Sequence, residues 1–293
     1  MEKIDKQKPP REALQGRKLY HYTSFESFVK IWLSKRLLLG SIGSVNDFME
    51  YKHTVEVRNL CCLPLAEAFT DVRMSFRQIS FTLDDDQVEG FKNPMMWGQY
   101  ANKGKGVCIE FDFDKLLPNY NGEDEVFDGF VRYEKKISKL PVIDGLKTKN
   151  DIRRYILSNK ETIMFTKFDV WKAENEYRIV SDNISEIRIA NAMGNAISAV
   201  YLTSCLSDEC DFVEKLLEKS NVPIWTLYVT TDMSFSQIQI EDPQGRRNII
   251  EKSNEINSQA KNYYQSLKND CNACLIMDRI KLCNQSDMNE SKK

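Results

Sequence analysis

Two glutamates one residue apart open the stretch Glu174-Asn-Glu176-Tyr-Arg-Ile-Val-Ser. Read as the start of a strand, a spacing of two points both carboxylates to the same face. One fixed carboxylate can stabilise an oxocarbenium-like charge of the kind that develops in glycoside cleavage and orient a sugar hydroxyl; the second can activate an acceptor. The competing reading is a salt-bridged strand edge with Lys172 and Arg178 as partners. The chain has only two histidines, His21 and His53. His21 lies in the alternating run Lys18-Leu-Tyr-His-Tyr-Thr, where a strand gives way to a helix, and such ends are common sites of ligand contact. A histidine there can donate to a ligand hydroxyl; the alternative is a satisfied core histidine.

Further residues fit the same kind of site. Asn46, Asp47 and Glu50 fall in a loop after a short strand, where they could touch a ligand or form an Asx-turn that caps the next helix. Trp97 and Tyr100, three apart on a short helix, offer aromatic faces for stacking, although aromatics at helical spacing are more often core. Ser80 and Thr82 flank Phe81, so their hydroxyls share one strand face. Lys103, Lys105, Arg132, Lys135 and Lys136 form a basic cluster in the primary sequence, suited to guiding a nucleic acid or simply to solvation. A single Cys271-x-x-Cys274 pair with Cys283 falls short of the two close pairs a structural zinc site wants, and no metal is expected.

The elements that must position these groups follow from periodicity. Ser24 is a natural N-cap, and apolar residues at 25, 28, 29, 32 and 33 have helical spacing. Strands are expected at Leu37–Ser41, Gln78–Thr82, Val107–Asp112, Val131–Tyr133, Tyr177–Ser181, Ala199–Thr203, Ile224–Val229 and Ser234–Ile240. Helices are expected over about 61–75, 95–101, 150–167 and 208–220, with loops at 84–93 and 119–128. The predicted organisation is a polar lead-in (1–17), an α+β domain (18–242) and a helical C-terminal appendage with a frayed tail (243–293). The appendage could serve homo-oligomerisation or a protein partner.

Composition narrows the class. Forty-one basic against 43 acidic side chains leave a net charge of −2, so no global field advertises a nucleic-acid partner. No run approaches the roughly 18 apolar residues of a membrane span, and the polar start has no signal-peptide core. Eight cysteines without such a signal point to reduced thiols and a cytoplasmic protein.

Four segments together resemble a bacterial family long catalogued as a domain of unknown function: Leu19-Tyr-His-Tyr-Thr-Ser; Asn46-Asp47 with Glu50; Met96-Trp97, Tyr100-Ala101 and Lys105-Gly-Val-Cys-Ile109; and Trp171 with Glu174-Asn-Glu176-Tyr-Arg-Ile-Val. The match spans residues 18–240, and Phe48 stands where the family usually has Pro. The family in turn resembles the ADP-ribosyltransferase fold, especially DNA-targeting ADP-ribosyltransferase toxins and RNA 2′-phosphotransferases. That resemblance implies a split β-sheet core with surrounding helices and NAD as co-substrate. It implies that His21, Tyr22, Thr23, Asn46, Asp47, Trp97 and Tyr100 contact NAD, with Glu176 as catalytic carboxylate and Glu174 on the acceptor side. The acceptor would be a nucleic acid or protein, in phage defence or a toxin system. A non-catalytic binding module and an NAD glycohydrolase are the alternatives on the same fold.

Overall fold

Alternation of apolar and polar residues makes Lys18–Thr23 a strand, β1. The computed structural model describes residues 14–44, 63–120, 126–136, 145–192, 194–203, 208–229 and 234–240, with Ser258, Gln259 and Asn262 beyond them. Ser24 caps α1 (Phe25–Ser34) by accepting the Ser27 N–H at 3.1 Å. Lys35, in the left-handed region at φ 55°, ends the helix with its N–H on the Ile31 carbonyl. There follow β2 (Arg36–Leu38), β3 (Gly40–Ser41), α2 (Leu63–Ser75), β4 (Arg77–Thr82), α3 (Pro94–Tyr100), β5 (Val107–Asp112) and α4 (Phe113–Leu116). Next come β6 (Val126–Phe130), β7 (Arg132–Glu134), α5 (Lys149–Ser158), α6 (Lys160–Met164), β8 (Thr166–Phe168), β9 (Glu176–Ser181) and β10 (Glu186–Arg188). The last are β11 (Ala190–Asn191), β12 (Gly194–Asn195), β13 (Ile197–Leu202), α7 (Asp208–Leu217), β14 (Ile224–Val229) and β15 (Phe235–Ile240).

The fold is mixed α+β around a mostly antiparallel sheet, ordered β15-β14-β13-β5-β1-β4-β9-β6, with β3 on β4. The parallel pair β13 and β14 is joined through α7, as a parallel pair requires a crossover. The outer ladders of β1 and β4 are continuous. β1 meets β5 from Lys18↔Asp112 to Thr23↔Val107, and β4 meets β9 from Arg77↔Ser181 to Thr82↔Glu176. Between β1 and β4, however, the register holds a single pair, Tyr20↔Thr82. β3 takes the far end of β4, at Gly40↔Gln78 and Ser41↔Arg77. Ile79, Ser80 and Phe81 therefore have no ladder partner on that side among the described residues. The sheet is open there.

Each half has its own apolar core. Phe69, Phe76, Ile152, Ile156, Phe165 and Val180 cluster around α2, α5 and β9. Tyr20, Tyr22, Phe91, Trp97, Cys108 and Tyr201 cluster on the β1–β5–β13 side.

Two expectations need correction. The helix expected over 150–167 breaks at Asn159, whose side chain bonds the Tyr155 carbonyl at 2.8 Å, and its final residues form β8, paired to β7. The expected loop 119–128 contains the start of β6, an edge strand on β9. The chain divides into compact units at 1–239 and 240–293. In the second, Ser258, Gln259 and Asn262 are helical, while the rest of the expected helical appendage (243–293) lies outside the described residues. Among the described residues, no helix is long and apolar enough to cross a membrane, and no group of three His, Cys, Asp or Glu is placed to hold a metal ion. Cys271, Cys274 and Cys283 lie outside them.

Candidate active site

Glu176 is the first residue of β9 and is 4% exposed. Its backbone N–H donates to the Tyr133 hydroxyl at 2.9 Å, and its carbonyl accepts the Val131 N–H at 2.9 Å. Both side-chain oxygens meet cations. Arg178 Nε lies 2.7 Å from Oε1; Arg178 Nη2 and Lys167 Nζ each lie 2.9 Å from Oε2. Burial alone would raise the pKa of this carboxyl. The Arg178 and Lys167 charges, helped by the Ser80 hydroxyl, outweigh it and hold the group well below the usual carboxylate range. Arg178, itself 1% exposed, is fixed further by donating Nη1 to the Met164 carbonyl at 2.6 Å.

Glu174 reaches the same place by a different route from the one its spacing predicts. It ends a 3₁₀ turn (Asp169–Glu174), and Asn175 follows at φ 44°, so the two glutamates do not share a strand. An asparagine tolerates that left-handed conformation; its Nδ2 donates to the Leu83 and Asp84 carbonyls at 3.0 and 3.1 Å. The kink turns Glu174 onto Tyr100 Oη at 2.5 Å and Lys167 Nζ at 2.8 Å. Burial raises its pKa, and Lys167 only partly offsets this. The cations that meet the pair are Lys167 and Arg178; Lys172, named from sequence, is exposed.

Opposite the carboxylates, half-buried His21 sits with Nδ1 3.0 Å from the Ser80 carbonyl oxygen. Desolvation lowers its pKa, so the neutral ring is favoured. The ring occupies the gap in the β4 ladder and satisfies a carbonyl that a neighbouring strand would otherwise take. The gap opens into a cavity of about 280 Å³ lined by His21, Gln78, Ser80, Thr82, Tyr100, Lys167, Glu174 and Glu176. Gln78 Oε1 and Thr82 Oγ1, on residues of its lining, are buried without a hydrogen-bond partner among the described residues. Buried polar atoms are ordinarily paired, so both call for a ligand or water. A second cavity of about 500 Å³ lies against α1 and β2; His21, Leu38 and Ile79 line both.

The remaining sequence candidates divide. Tyr100 lines the first cavity and Thr23 the second. Tyr22 borders the first, but its hydroxyl is committed to the Gly90 carbonyl at 2.5 Å and its ring packs edge-on to Trp97. Trp97, expected at the ligand, lies outside both linings: it is 2% exposed and its Nε1 donates to the Phe91 carbonyl at 2.8 Å. An indole so placed is core. Asn46 and Asp47 lie outside the described residues. Ser80 and Thr82, expected to share one strand face, both line the cavity. Lys167 escaped the sequence reading because it fell at the end of an expected helix. The run Phe165-Thr-Lys-Phe, with its β-branched and aromatic residues, was the available sign of a strand.

Comparison with known proteins finds a family match over part of the chain. Residues 96–179 match the family described as "Protein of unknown function (DUF2971)". That stretch carries Tyr100, Lys167, Glu174, Glu176 and Arg178, but not His21. No curated protein matches the chain. Similar solved structures are those of Thermus sp. 2.9 DarT. The complex with ADP-ribosylated ssDNA is 10% identical, covering 70% of this chain and 88% of that one, at a TM-score of 0.33. The complex with NAD+ is 9% identical, covering 74% and 97%, also at 0.33. The complex with carba-NAD+ is 10% identical with the same coverage and score.

Proposed function

We propose that this chain is an NAD-dependent mono-ADP-ribosyltransferase of the split-sheet ADP-ribosyltransferase kind, within a domain spanning residues 18–242. The observation that carries the reading is the pairing of an ionised, rigidly held Glu176 with His21 across the opening between β1 and β4. The cavity accommodates the nicotinamide–ribose end of NAD, and the adjoining cavity adds room of the order small-molecule sites have. His21, Gln78 and Thr82 supply hydrogen-bonding atoms for ribose hydroxyls and a carboxamide. As the bond between ribose and nicotinamide breaks, nicotinamide leaves with the bonding electrons and positive charge grows on the sugar. A pre-oriented carboxylate in a water-poor site stabilises that charge with little reorganisation. An acceptor group then bonds to the sugar carbon, and Glu174 takes its proton.

A second reading is favoured by one observation: both Glu176 oxygens already have cationic partners. A carboxylate neutralised this way would suit a binding module that holds NAD without cleaving it. Isothermal titration of NAD, alongside release of labelled nicotinamide in the presence of cell extract, separates the two. Cleavage by the wild type that is lost in Glu176→Gln supports the transferase. Binding without cleavage in both proteins supports the module. With NAD labelled in its adenine instead, label recovered only as free ADP-ribose identifies a glycohydrolase.

A further inference from the structure

The cation Lys167 stands between the two glutamates rather than beside one of them. Its Nζ lies 2.8 Å from Glu174 Oε2 and 2.9 Å from Glu176 Oε2, and its side chain is 6% exposed. The surroundings are unequal. Glu176 keeps a second cation, Arg178, in a two-pronged contact, whereas the other partner of Glu174 among the described residues is the neutral Tyr100 hydroxyl. The groups facing the trio from neighbouring elements are Tyr100 on α3, Tyr133 on β7, Ser80 on β4, and Arg178 on β9. Two carboxylates and two cations balance, and within that set Lys167 is the cation that Glu174 touches.

We infer that Lys167 is a positioning residue that keeps Glu174 ionised, so that without it Glu174, and not Glu176, takes up a proton. The argument is one of charge and burial. A carboxylate buried without a cation shifts its pKa until it is neutral at ordinary pH. Glu176 escapes that fate through Arg178. The burial-driven rise in the Glu174 pKa, already present beside Lys167, runs in the same direction. The consequence for chemistry rests on the proposed transferase reading: an acceptor-side base must be ionised to take a proton, which makes Lys167 the residue that sets the acid limb of the reaction.

Infrared spectroscopy of the full chain near neutral pH tests the charge assignment without any substrate. Lys167→Met should show a protonated-carboxyl band absent from the wild type, and Lys167→Met/Glu174→Gln should lose it. Lys167→Arg, which restores a cation, should not show it. A band that survives Glu174→Gln, or no band in a folded Lys167→Met protein, overturns the inference. Should Lys167→Met fail to fold by circular dichroism, Lys167→Gln puts the same question with a polar side chain. The acid limb of NAD cleavage, expected to move up by at least one pH unit in Lys167→Met and to return in Lys167→Arg, is a second readout. A wild type that cleaves no NAD while the band behaves as stated would leave the role of Lys167 standing and remove the transferase reading.

Discussion

His21 Nδ1 lies 3.0 Å from the carbonyl oxygen of Ser80, where the side of β4 turned away from β9 has no ladder partner among the described residues. The imidazole meets a carbonyl that a ladder partner would otherwise take, and both residues line the cavity. His21→Ala should cost about 1 kcal/mol of stability from the lost hydrogen bond. It should weaken NAD binding about tenfold, equivalent to ~1.4 kcal/mol. Chemical denaturation and calorimetric titration measure the two effects. Unchanged affinity would remove His21 from the ligand site.

The same histidine gives a pH dependence with a definite sign. Its folded pKa is lowered, chiefly by desolvation. In the window between its folded and unfolded values, the unfolded chain binds the extra proton, so stability rises with pH there. The contribution is fully present above about pH 6.5, the ordinary histidine value, and is lost as pH falls below it. His21→Asn should flatten the stability curve between about pH 5 and 7. A curve as steep as the wild type's would place the titration elsewhere.

Glu176→Gln removes one charge from a buried, balanced set and leaves Arg178 and Lys167 facing a neutral amide. Breaking a buried pair by removing one partner costs about 3–5 kcal/mol, so the variant should melt well below the wild type. Its NAD cleavage must therefore be assayed at a temperature where it is folded. Loss of cleavage there, with NAD binding retained, separates a chemical role for the carboxylate from a scaffolding one.

Glycines make opposed predictions close to the site. A Cβ on Gly106 would lie 2.3 Å from the Thr23 carbonyl oxygen and 2.9 Å from the backbone of Ala101. Both obstacles are backbone, so Gly106→Ala should destabilise by about 1–3 kcal/mol through overpacking. Gly98, exposed on α3, has nothing within 4 Å of its added Cβ. Gly98→Ala should stabilise by about 0.5–1 kcal/mol through helix propensity. Melting curves of the two variants should shift in opposite directions.

How much of this was legible beforehand depends on whether the signal was local. Alternation placed β1, β4 and β5, and a serine before an apolar stripe placed α1, because those patterns are written within one element. The opening between β1 and β4 was not derivable from periodicity, since a ladder that stops after one pair is a property of two strands distant in sequence. Glu174 and Glu176 were found together for the wrong reason: strand alternation was assumed, but a left-handed Asn175 brings them to one cavity. Lys167 was missed because the short run Phe165-Thr-Lys-Phe, whose residue types favour a strand, was read as the end of a helix.

Trp97 and Tyr100 test that distinction directly, because their types and spacing suggested one role and their contacts give two. Trp97 Nε1 is committed to the Phe91 carbonyl inside the core, whereas Tyr100 Oη donates to Glu174 on the cavity wall. Trp97→Phe leaves a buried carbonyl unpaired and should cost about 1–3 kcal/mol, with NAD affinity unchanged below its melting transition. Tyr100→Phe deprives Glu174 of its hydroxyl donor. A buried carboxylate that loses a donor to its charged form gains pKa, so the acid limb of NAD cleavage should move up, with a smaller loss of stability than in Trp97→Phe. Paired denaturation curves and pH–rate profiles distinguish the two residues. A pH shift in Trp97→Phe and none in Tyr100→Phe would mean that the roles are reversed.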